Sequence, residues 1–541
     1  MMKKNTTFLA TAFTLMLTAS LNAQTFEMVK DIHPTGGSNP NYFTELNGKL
    51  YFQANNGTDG MELWVTDGTE SGTQMVKNIS LSGGSHPRYF KEYNGKLYFW
   101  AVNDDTGGGG VEPWVTDGTE AGTHILKDIN PTSDGLASGG SPAFTVFNNM
   151  LYFVANDGVN DNQLWVTDGT EAGTQILKII HPNNDAFDTY NLEFYEYNGN
   201  LYFVASDGAN GRELWVTDGT TAGTVMLKDI NPNGSSNAGD FKEYNGNLYF
   251  RAYDGTASGL WVTDGTPTGT VMVKDVAPYS SYGTTNGKYA IYNGNLYFGA
   301  DDGATGRGLW VTDGTTAGTV LLKEINPNGY YQLGYFTEYD GKLYFVANDG
   351  TNGSELWVTD GTTAGTVMFK DINPDPYGNS NPHSLTVYND KLYFIAGIDY
   401  TDYQLWETDG TTAGTQIIQP AIAPNSNPLS NSNLTVFDGS LYFSANYNSN
   451  GAELWKFTTD NLSVSEPQII ELNLYPNPVN DLLYIKTEQE VTTVALYSIT
   501  GQKLQVWEGQ KNLNLSTYTK GIYLVEIKTP NSKETVKIIK K

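Results

Sequence analysis

The sequence predicts an all-β protein in which nine units of four antiparallel strands form a β-propeller. The first observation is a repeat: Leu-Tyr-Phe occurs nine times between residues 50 and 443, and a tryptophan follows each copy. The second is its period, because successive tryptophans lie 46 to 51 residues apart, a spacing typical of propeller blades. The third is composition, since 59 of 541 residues are glycine and no helical period is sustained after the N-terminal segment.

A single unit shows how four strands follow from the residues. Residues 241–245 alternate in polarity, and Asn245-Gly246 predicts a type I′ hairpin turn, because both central residues of that turn need positive φ. Residues 248–252 and 260–263 are rich in β-branched and aromatic residues and form the second and third strands. A Thr-Asp-Gly-Thr turn then leads to the fourth strand, residues 271–276. Four short strands connected in sequence predict one blade.

The two ends of the repeat region predict a closed ring. Residues 26–32 have the pattern of an isolated fourth strand, whereas the ninth unit stops after Trp455-Lys456-Phe457 and lacks one. Pairing these two segments completes nine blades and leaves no open sheet edge, which would otherwise favour aggregation. The alternatives are an eight-bladed ring with one displaced unit and an open solenoid.

The N-terminus has the features of a secretory signal peptide. Lys3 and Lys4 precede an apolar run over residues 8–21, and Ala23 supplies a small residue before Gln24. The run is shorter than the roughly 20 residues that a membrane-spanning helix needs. We therefore predict a leader over residues 1–23 and a mature protein with no transmembrane anchor.

Composition excludes several classes of function. The formal net charge is −28, and residues 24–471 contain 53 acidic and 20 basic side chains. This balance argues against a nucleic-acid partner, because phosphate recognition needs a basic surface. The chain has no cysteine, which excludes disulfides, thiolate zinc sites and a cysteine nucleophile.

The repeats resemble a known family. The segment from Glu62 to Thr73, Glu-Leu-Trp-Val-Thr-Asp-Gly-Thr-Glu-Ser-Gly-Thr, is similar to the ELWxxDGT repeat of exported bacterial proteins, and similar copies extend over residues 24–457. This resemblance implies a repeat architecture and no defined activity.

The C-terminal segment resembles a second family. After a polar linker at residues 458–471, residues 472–541 contain Tyr475-Pro-Asn-Pro478, Gly501, Gly521-Ile-Tyr523 and a basic end. They are similar to the type A sorting domain of the type IX secretion system of Bacteroidota. The resemblance implies a small β-sandwich that engages the secretion machinery and its sortase. It also implies a protein that is secreted or held on the outer cell surface.

Blade topology divides the loops between two faces. The Asn-Gly and Asp-Gly-Thr turns lie on one face, here called the turn face. The loops between second and third strands share the other face, the link face, with the connections between units. Binding residues concentrate on variable loops held by a rigid scaffold, so we expect function on the link face near the ring centre. Aromatic residues in the connections are candidate glycan contacts, with packing as the alternative: Tyr279, Tyr282, Tyr330, Tyr331 and Tyr377.

Acidic residues flank the loops of the link face. They end second strands or begin third strands, and oxygen ligands of this kind suit Ca²⁺. The candidate calcium ligands are Asp157, Asp207, Asp254, Asp302, Asp349, Glu62, Glu213 and Glu355. The alternative is a turn aspartate beside a solvated glutamate at a strand end. For the repeated Thr-Asp-Gly-Thr turn, we likewise favour a structural turn over a metal site.

Three functions remain compatible with the sequence. The first is a binding or adhesion module for a glycan, protein or matrix ligand. The second is a hydrolase or lyase acting on extracellular polysaccharide through carboxylates near the channel. The third is a structural component of the cell surface. Catalysis stays open, because the five histidines lie far apart and no metal, nucleophile-elbow or P-loop motif is present.

Overall fold

The protein is described by a computed structural model. It describes residues 23–103, 110–136, 144–188, 192–278, 288–303, 307–326, 333–399, 402–420, 428–429, 432–448, 451–460, 473–487, 491–499, 502–529 and 533–541. These residues contain β-strands and no helix. They divide into a unit at Gln24–Thr459 and a second unit that includes Asp460–Lys541. Each unit is considered by itself.

The described residues of the first unit form nine sheets, which we number along the chain. Sheet 1 contains β2 (Asn41–Leu46), β3 (Lys49–Asn55), β4 (Met61–Thr66) and β5 (Gln74–Lys77). Sheet 2 contains β6 (Arg88–Tyr93), β7 (Lys96–Asn103), β8 (Gly110–Thr116) and β9 (His124–Ile125). Sheet 3 contains β10 (Thr145–Phe147), β11 (Met150–Asn156), β12 (Asn162–Thr167) and β13 (Gln175–Lys178). Sheet 4 contains β14 (Tyr195–Tyr197), β15 (Asn200–Ser206), β16 (Arg212–Thr217) and β17 (Val225–Lys228). Sheet 5 contains β18 (Gly239–Tyr244), β19 (Asn247–Tyr253), β20 (Ser258–Thr263) and β21 (Val271–Lys274). Sheet 6 contains β22 (Ala277–Pro278), β23 (Tyr289–Tyr292), β24 (Asn295–Asp301), β25 (Arg307–Thr312) and β26 (Val320–Asn326). Sheet 7 contains β27 (Gly334–Tyr339), β28 (Lys342–Asn348), β29 (Ser354–Thr359) and β30 (Val367–Lys370). Sheet 8 contains β31 (His383–Tyr388), β32 (Lys391–Gly397), β33 (Tyr403–Thr408) and β34 (Gln416–Ile418). Sheet 9 contains β35 (Thr435–Phe437), β36 (Ser440–Ala445), β37 (Glu453–Asp460) and β1 (Ala23–Lys30).

Seven of the nine sheets are four-stranded antiparallel meanders, as the repeat predicts. Sheet 6 has a fifth strand, because β22 and β23 both pair with β24, and sheet 9 takes its fourth strand, β1, from the start of the first unit. The phenylalanine of Leu-Tyr-Phe pairs across the sheet with the repeated tryptophan, for example Phe52 with Trp64 and Phe345 with Trp357. Apolar side chains of one sheet pack on those of the next, so Leu63 of sheet 1 shares a buried cluster with Phe99 of sheet 2. The core is therefore a series of clusters between neighbouring sheets, which is how propeller blades bury their faces.

The predicted ring closure is confirmed. Strand β1 pairs with β37, so the first described strand of the chain completes sheet 9. Leu454 of sheet 9 and Phe52 of sheet 1 lie in one buried cluster, together with Val29 near the end of β1. The last sheet thus packs on the first, and no sheet of this unit is left at an end.

Hydrogen bonds repeat from sheet to sheet as well. On the turn face, the Tyr197 hydroxyl donates to the carbonyl of Gly246 in the next sheet at 2.8 Å. Near the fourth strands, Lys77 Nζ donates to the carbonyl of Thr123 in the next sheet at 2.8 Å. Lys30 in β1 donates to Thr73 in sheet 1 at 2.7 Å, so the closing interface has the same contact as the others.

The repeated Asp-Gly-Thr turn is stabilised by its own side chains. In sheet 1, Asp67 Oδ1 accepts hydrogen bonds from the backbone N–H and the hydroxyl of Thr69, at 3.0 and 2.7 Å. These bonds lower the pKa of Asp67. Gly68 has φ of +88°, and the buried hydroxyls of Thr66 and Thr73 lie 2.7 Å apart. This geometry explains why the motif recurs with so little change.

The second unit is a small sandwich of two sheets. One contains β38 (Asn473–Tyr475), β39 (Leu482–Lys486) and β42 (Asn512–Asn514), and the other contains β40 (Thr493–Ser498), β41 (Lys503–Glu508), β43 (Gly521–Lys528) and β44 (Lys533–Lys540). Both sheets contribute to one buried cluster that includes Leu483, Leu513, Val494 and Val525.

The predicted leader lies outside the described residues, except for Ala23. Within the part of the chain that the structure describes, no helix is long and apolar enough to cross a membrane.

Candidate functional site

The first strands of the sheets form the inner wall of the ring. Neighbouring first strands contact each other, for example β2 with β6, β23 with β27, and β27 with β31. These strands begin on the link face, where the connections between sheets arrive. Side chains at their starts therefore gather around the centre of the ring on that face.

A single repeat position dominates this region. It lies four residues before the last core residue of each first strand, and its side chain differs from sheet to sheet. We call these side chains the rim residues: Tyr42, Tyr89, Glu193, Asp240, Lys288, Tyr335, Ser384 and Asn433. The equivalent position in sheet 3, residue 143, lies outside the described residues.

The backbone at the rim is unusual and recurrent. Five rim residues have positive φ, namely +59° at Tyr42 and Tyr89, +60° at Asp240, +58° at Tyr335 and +53° at Ser384. The strand register shifts at these positions, as between Asn41 and Thr44. Left-handed conformations cost roughly 1–2 kcal/mol for residues other than glycine. Strain of this kind is concentrated at functional sites, so the rim is a candidate functional site.

Rim residues of neighbouring sheets contact one another. The rings of Tyr42 and Tyr89 pack edge to face with centroids 5.8 Å apart. The hydroxyl of Ser384 donates to Asn433 Oδ1 at 3.0 Å. The rim thus contains an aromatic sector at sheets 1 and 2, a charged sector at sheets 4 to 6 and a polar pair at sheets 8 and 9.

The charged sector is centred on Asp240. Its buried carboxylate forms ion pairs with Arg251, at 2.6 Å, and with Lys288, whose side chains are 19% and 17% exposed. Its backbone N–H donates to Glu193 Oε2 at 2.9 Å. Burial, and then repulsion by the Asp240 carboxylate, raise the pKa of Glu193 to about 7. Glu193 is therefore able to gain or lose a proton near neutral pH.

Tyr289 lies beside this charged sector. Its side chain is buried, and within the described part of the chain its hydroxyl has no hydrogen-bond partner. Burial and the nearby Asp240 carboxylate raise its pKa well above the usual value. A buried hydroxyl without a partner is costly, so this position favours a bound water or a ligand oxygen.

The predicted aspartates of the link face form turns. Asp207 Oδ1 accepts from the N–H groups of Ala209 and Asn210, both at 2.9 Å, and Oδ2 accepts from the side chain of Asn210. Asp157 and Asp349 make the same set of bonds. Asp254 accepts from Thr256 and Ala257, and Asp302 is an exposed residue of the same loop in sheet 6. These contacts agree with the turn interpretation that the sequence left open.

The predicted glutamates lie in a different environment from these turn aspartates. Glu62, Glu213 and Glu355 are fully buried, so the expectation of solvated strand-end side chains is wrong. They belong to a set with Glu112 and Glu453 at the starts of third strands, which we call the link glutamates.

Each link glutamate binds the connection that leads to the next sheet. Glu62 accepts from the N–H of Ile79 at 2.9 Å and from the N–H and hydroxyl of Ser85 at 3.0 and 2.6 Å. Glu213 accepts from the N–H groups of Ile230 and Ser236, both at 2.8 Å. The carboxylates therefore bind backbone donors of the connection.

Burial raises the pKa of every link glutamate, because desolvation outweighs these hydrogen bonds. The pKa reaches about 7 for Glu112 and Glu355. In sheet 3, Gln163 occupies the same position and its Oε1 accepts from the N–H of Ile180 at 2.8 Å. A neutral side chain thus performs the same structural task.

Within the described ranges, no group of three or more histidine and acidic side chains is arranged to hold a metal ion. Among the candidate aromatic residues, Tyr377 is 69% exposed on the connection before sheet 8, and its N–H donates to Thr351. Tyr279, Tyr282, Tyr330 and Tyr331 lie outside the described residues.

Sequence comparison identifies the second unit. Residues 473–541 match the family model described as a secretion system C-terminal sorting domain. This segment is a sorting domain. The protein is exported by the type IX secretion system and is located outside the cell, secreted or on the outer surface. No curated protein sequence is detectably similar to the chain.

Comparison with solved structures gives distant likenesses. Puromycin hydrolase aligns with a TM-score of 0.34 and 14% identity, over 66% of this chain and 58% of its own. Two proteins described as extracellular domains of hybrid two-component systems from B. thetaiotaomicron align with TM-scores of 0.32 and 0.30 and identities of 13% and 12%; they cover 93% and 94% of this chain and 68% and 76% of their own. The aligned part spans less than two thirds of puromycin hydrolase, and similarity at this level carries no argument about activity.

Proposed function

We propose that the protein is an extracellular binding or adhesion module, whose rim residues contact a glycan, protein or matrix ligand. The observation that carries the proposal is the contrast at one repeat position. A positive φ recurs at five of the eight described rim positions, where the side chain is tyrosine three times, aspartate once and serine once, and the other three positions hold glutamate, lysine and asparagine.

This contrast separates scaffold from site. The turns, the link glutamates and the contacts between sheets serve each blade in the same way, so their residues repeat. A purely structural role at the rim would favour one residue type that relieves the positive φ, such as glycine. Tyrosine, aspartate and serine at the positions with positive φ, where glycine would carry no strain, instead favour recognition of a partner.

We also propose that the first unit is a member of the ELWxxDGT repeat proteins that its sequence resembles. Together with the predicted leader at residues 1–23 and the linker at 458–471, this membership describes an exported chain with a binding ring and a removable sorting domain. The secretion machinery and its sortase are the expected partners during export.

Ligand screening of the secreted protein tests this function. We expect binding to at least one member of panels of glycans, surface proteins and matrix components. A triple variant, Tyr42→Ala, Lys288→Ala and Tyr335→Ala, should lose that binding while its thermal unfolding remains cooperative. Binding that persists in the variant would place the site elsewhere, and no binding in any panel would contradict the function.

The charged sector favours a polysaccharide hydrolase or lyase as a second candidate. Glycosidases combine a carboxyl group of raised pKa with a second carboxylate, and Glu193 and Asp240 are such a pair of groups. In this role Glu193 would be the proton donor, and Asp240, which is paired with Arg251 and Lys288, would be the second carboxylate. The test is turnover of a polysaccharide panel. Glu193→Gln should abolish turnover and leave binding intact, whereas turnover that survives this change would contradict the assignment.

A further inference from the structure

The arginines are confined to one face of the first unit. The chain has four, of which Arg88, Arg212 and Arg307 are the first residues of β6, β16 and β25, while Arg251 lies near the end of β19. First and third strands of a sheet have their starts on the link face, whereas second strands, such as β19, end there. Guanidinium groups therefore occupy the face that also carries the rim, on a unit whose charge is otherwise strongly negative.

One of the four differs from the others in its partners. Arg212 pairs with Asp188 at 2.6 Å, Arg251 with Asp240 at 2.6 Å, and Arg307 with Asp301 at 3.7 Å. Within the described ranges, Arg88 has no ion-pair partner. Its guanidinium carbon lies 5.9 Å from the ring centroid of Tyr89.

Arg88 therefore extends the aromatic sector of the rim. Tyr89 packs edge to face against Tyr42, which is 37% exposed, and both tyrosines are held by the same positive-φ backbone. The result is a partly exposed pair of rings next to a cation that forms no ion pair with a carboxylate of the described residues. Tyrosine offers a large amphipathic surface that loses little conformational entropy when it binds.

We propose that Arg88, Tyr42 and Tyr89 form a subsite for a uronic acid residue within a sparsely charged polysaccharide. This inference rests on the proposed binding function and specifies its ligand class. A guanidinium group binds a carboxylate through two parallel hydrogen bonds, which gives both charge and orientation. The tyrosine rings contact the C–H faces of adjacent sugars.

The surrounding charge favours a ligand with few carboxylates. Residues 24–471 contain 53 acidic and 20 basic side chains, so a densely charged polyanion is repelled along most of its length. Electrostatic interactions are screened beyond about 8 Å at physiological ionic strength, so one carboxylate beside Arg88 responds mainly to that cation. A polymer with isolated uronic acids on a neutral backbone meets both conditions.

The experiment compares glucuronoxylan with the same polymer after chemical reduction of its carboxyl groups. The secreted protein should bind glucuronoxylan about tenfold or more tightly than the reduced polymer. Arg88→Gln should bind both polymers equally, at the affinity of the wild type for the reduced form. Arg212→Gln, a matched change on the same face, should behave as wild type. Tyr42→Leu should weaken binding to both polymers, and melting temperatures of all variants establish that they are folded.

The outcomes separate the subsite from the general function. Equal binding of both polymers by the wild type, or an Arg88→Gln variant that still prefers glucuronoxylan, would overturn the subsite and leave glycan binding in place. Binding confined to protein or matrix ligands would overturn the subsite alone. Binding of single-stranded DNA that depends on Arg88, without binding of glucuronoxylan, would assign the arginine to a different polymer. No binding to any panel would overturn the proposed function itself.

Discussion

Replacing Glu453 with alanine tests whether one buried carboxylate secures the ring closure. Glu453 is the link glutamate of sheet 9, and its acceptor groups bind the segment that follows β1. Ile32 N–H donates at 2.9 Å, and Ser38 donates through its N–H at 3.0 Å and its hydroxyl at 2.6 Å. Alanine leaves the two buried N–H groups without an acceptor, and the Ser38 hydroxyl keeps only its longer bond to the carbonyl of Ala452, at 3.3 Å.

The magnitude follows from those donors. A buried donor without a partner costs about 1–3 kcal/mol. The variant also avoids the cost of burying the Glu453 carboxylate, and the raised pKa of Glu453 shows that this cost is present in the wild type. We therefore expect the free energy of local opening to fall by about 3 kcal/mol. Because about 1.4 kcal/mol corresponds to a factor of ten, backbone amides of β1 should exchange with solvent about a hundred times faster.

Hydrogen–deuterium exchange measured by mass spectrometry provides the assay, with Glu213→Ala as the matched control. Glu213 makes the same kind of bonds to Ile230 and Ser236, yet strands on both sides of that connection are held by the continuous chain. The control should show faster exchange at residues 229–238 and unchanged exchange in β1. The reasoning is refuted when peptides covering residues 24–38 exchange at the wild-type rate in Glu453→Ala, while the control variant responds at its own connection.

Four further predictions follow from contacts described above. Burial raises the pKa of the link glutamates above 4.5, to about 7 for Glu112 and Glu355, so the folded protein binds more protons than the unfolded chain between pH 4.5 and 7. The free energy of unfolding should therefore fall as pH rises through that window, by up to about 3 kcal/mol per group. The double variant Glu112→Gln and Glu355→Gln should flatten the pH dependence of the melting temperature. Gly223→Ala should destabilise the fold by more than 2 kcal/mol relative to Gly83→Ala in chemical denaturation, because a Cβ at Gly223 would lie 2.1 Å from Asp218 Oδ1, whereas a Cβ at Gly83 meets no atom within 4 Å; equal effects would contradict the turn geometry. Deletion of residues 472–541 should leave the protein in the periplasm by cell fractionation, and normal surface delivery would argue against the sorting role. EDTA should change the melting temperature little, since the turn aspartates already accept hydrogen bonds; a large drop would indicate a structural metal ion.

Local signals explain why much of the architecture could be predicted from the sequence. Asn245-Gly246 gives a turn because only certain residues adopt positive φ, and the pairing of Phe52 with Trp64 follows from the alternation of apolar residues. Ring closure was predictable because both incomplete units were visible in the chain.

The link glutamates show where sequence reasoning ends. Glu62 precedes an apolar strand, and nothing near it reveals that its partners, Ile79 and Ser85, arrive 17 and 23 residues later. A buried carboxylate is identified by its three-dimensional donors, whereas the local pattern of a charged residue beside a loop also describes a solvated side chain.

The rim was missed for a different reason. Its residues differ, and a search for conserved features of a repeat passes over the position that varies. Alignment of the nine units at their last core residue would have revealed it, because Tyr42, Asp240 and Lys288 then share one column, each followed by an aromatic residue. The contacts among these side chains depend on the curvature of the ring and required the structure.

The pairing of β1 with β37 has a consequence for how the cell handles incomplete chains. The partner of the first strand is made more than 420 residues later, and the sorting domain is encoded after that partner. A polypeptide that terminates before β37 therefore lacks both the strand that pairs with β1 and the sorting domain. A chain that carries the sorting domain has been translated through both closing strands, so the order of segments couples the export signal to a ring that has all of its strands.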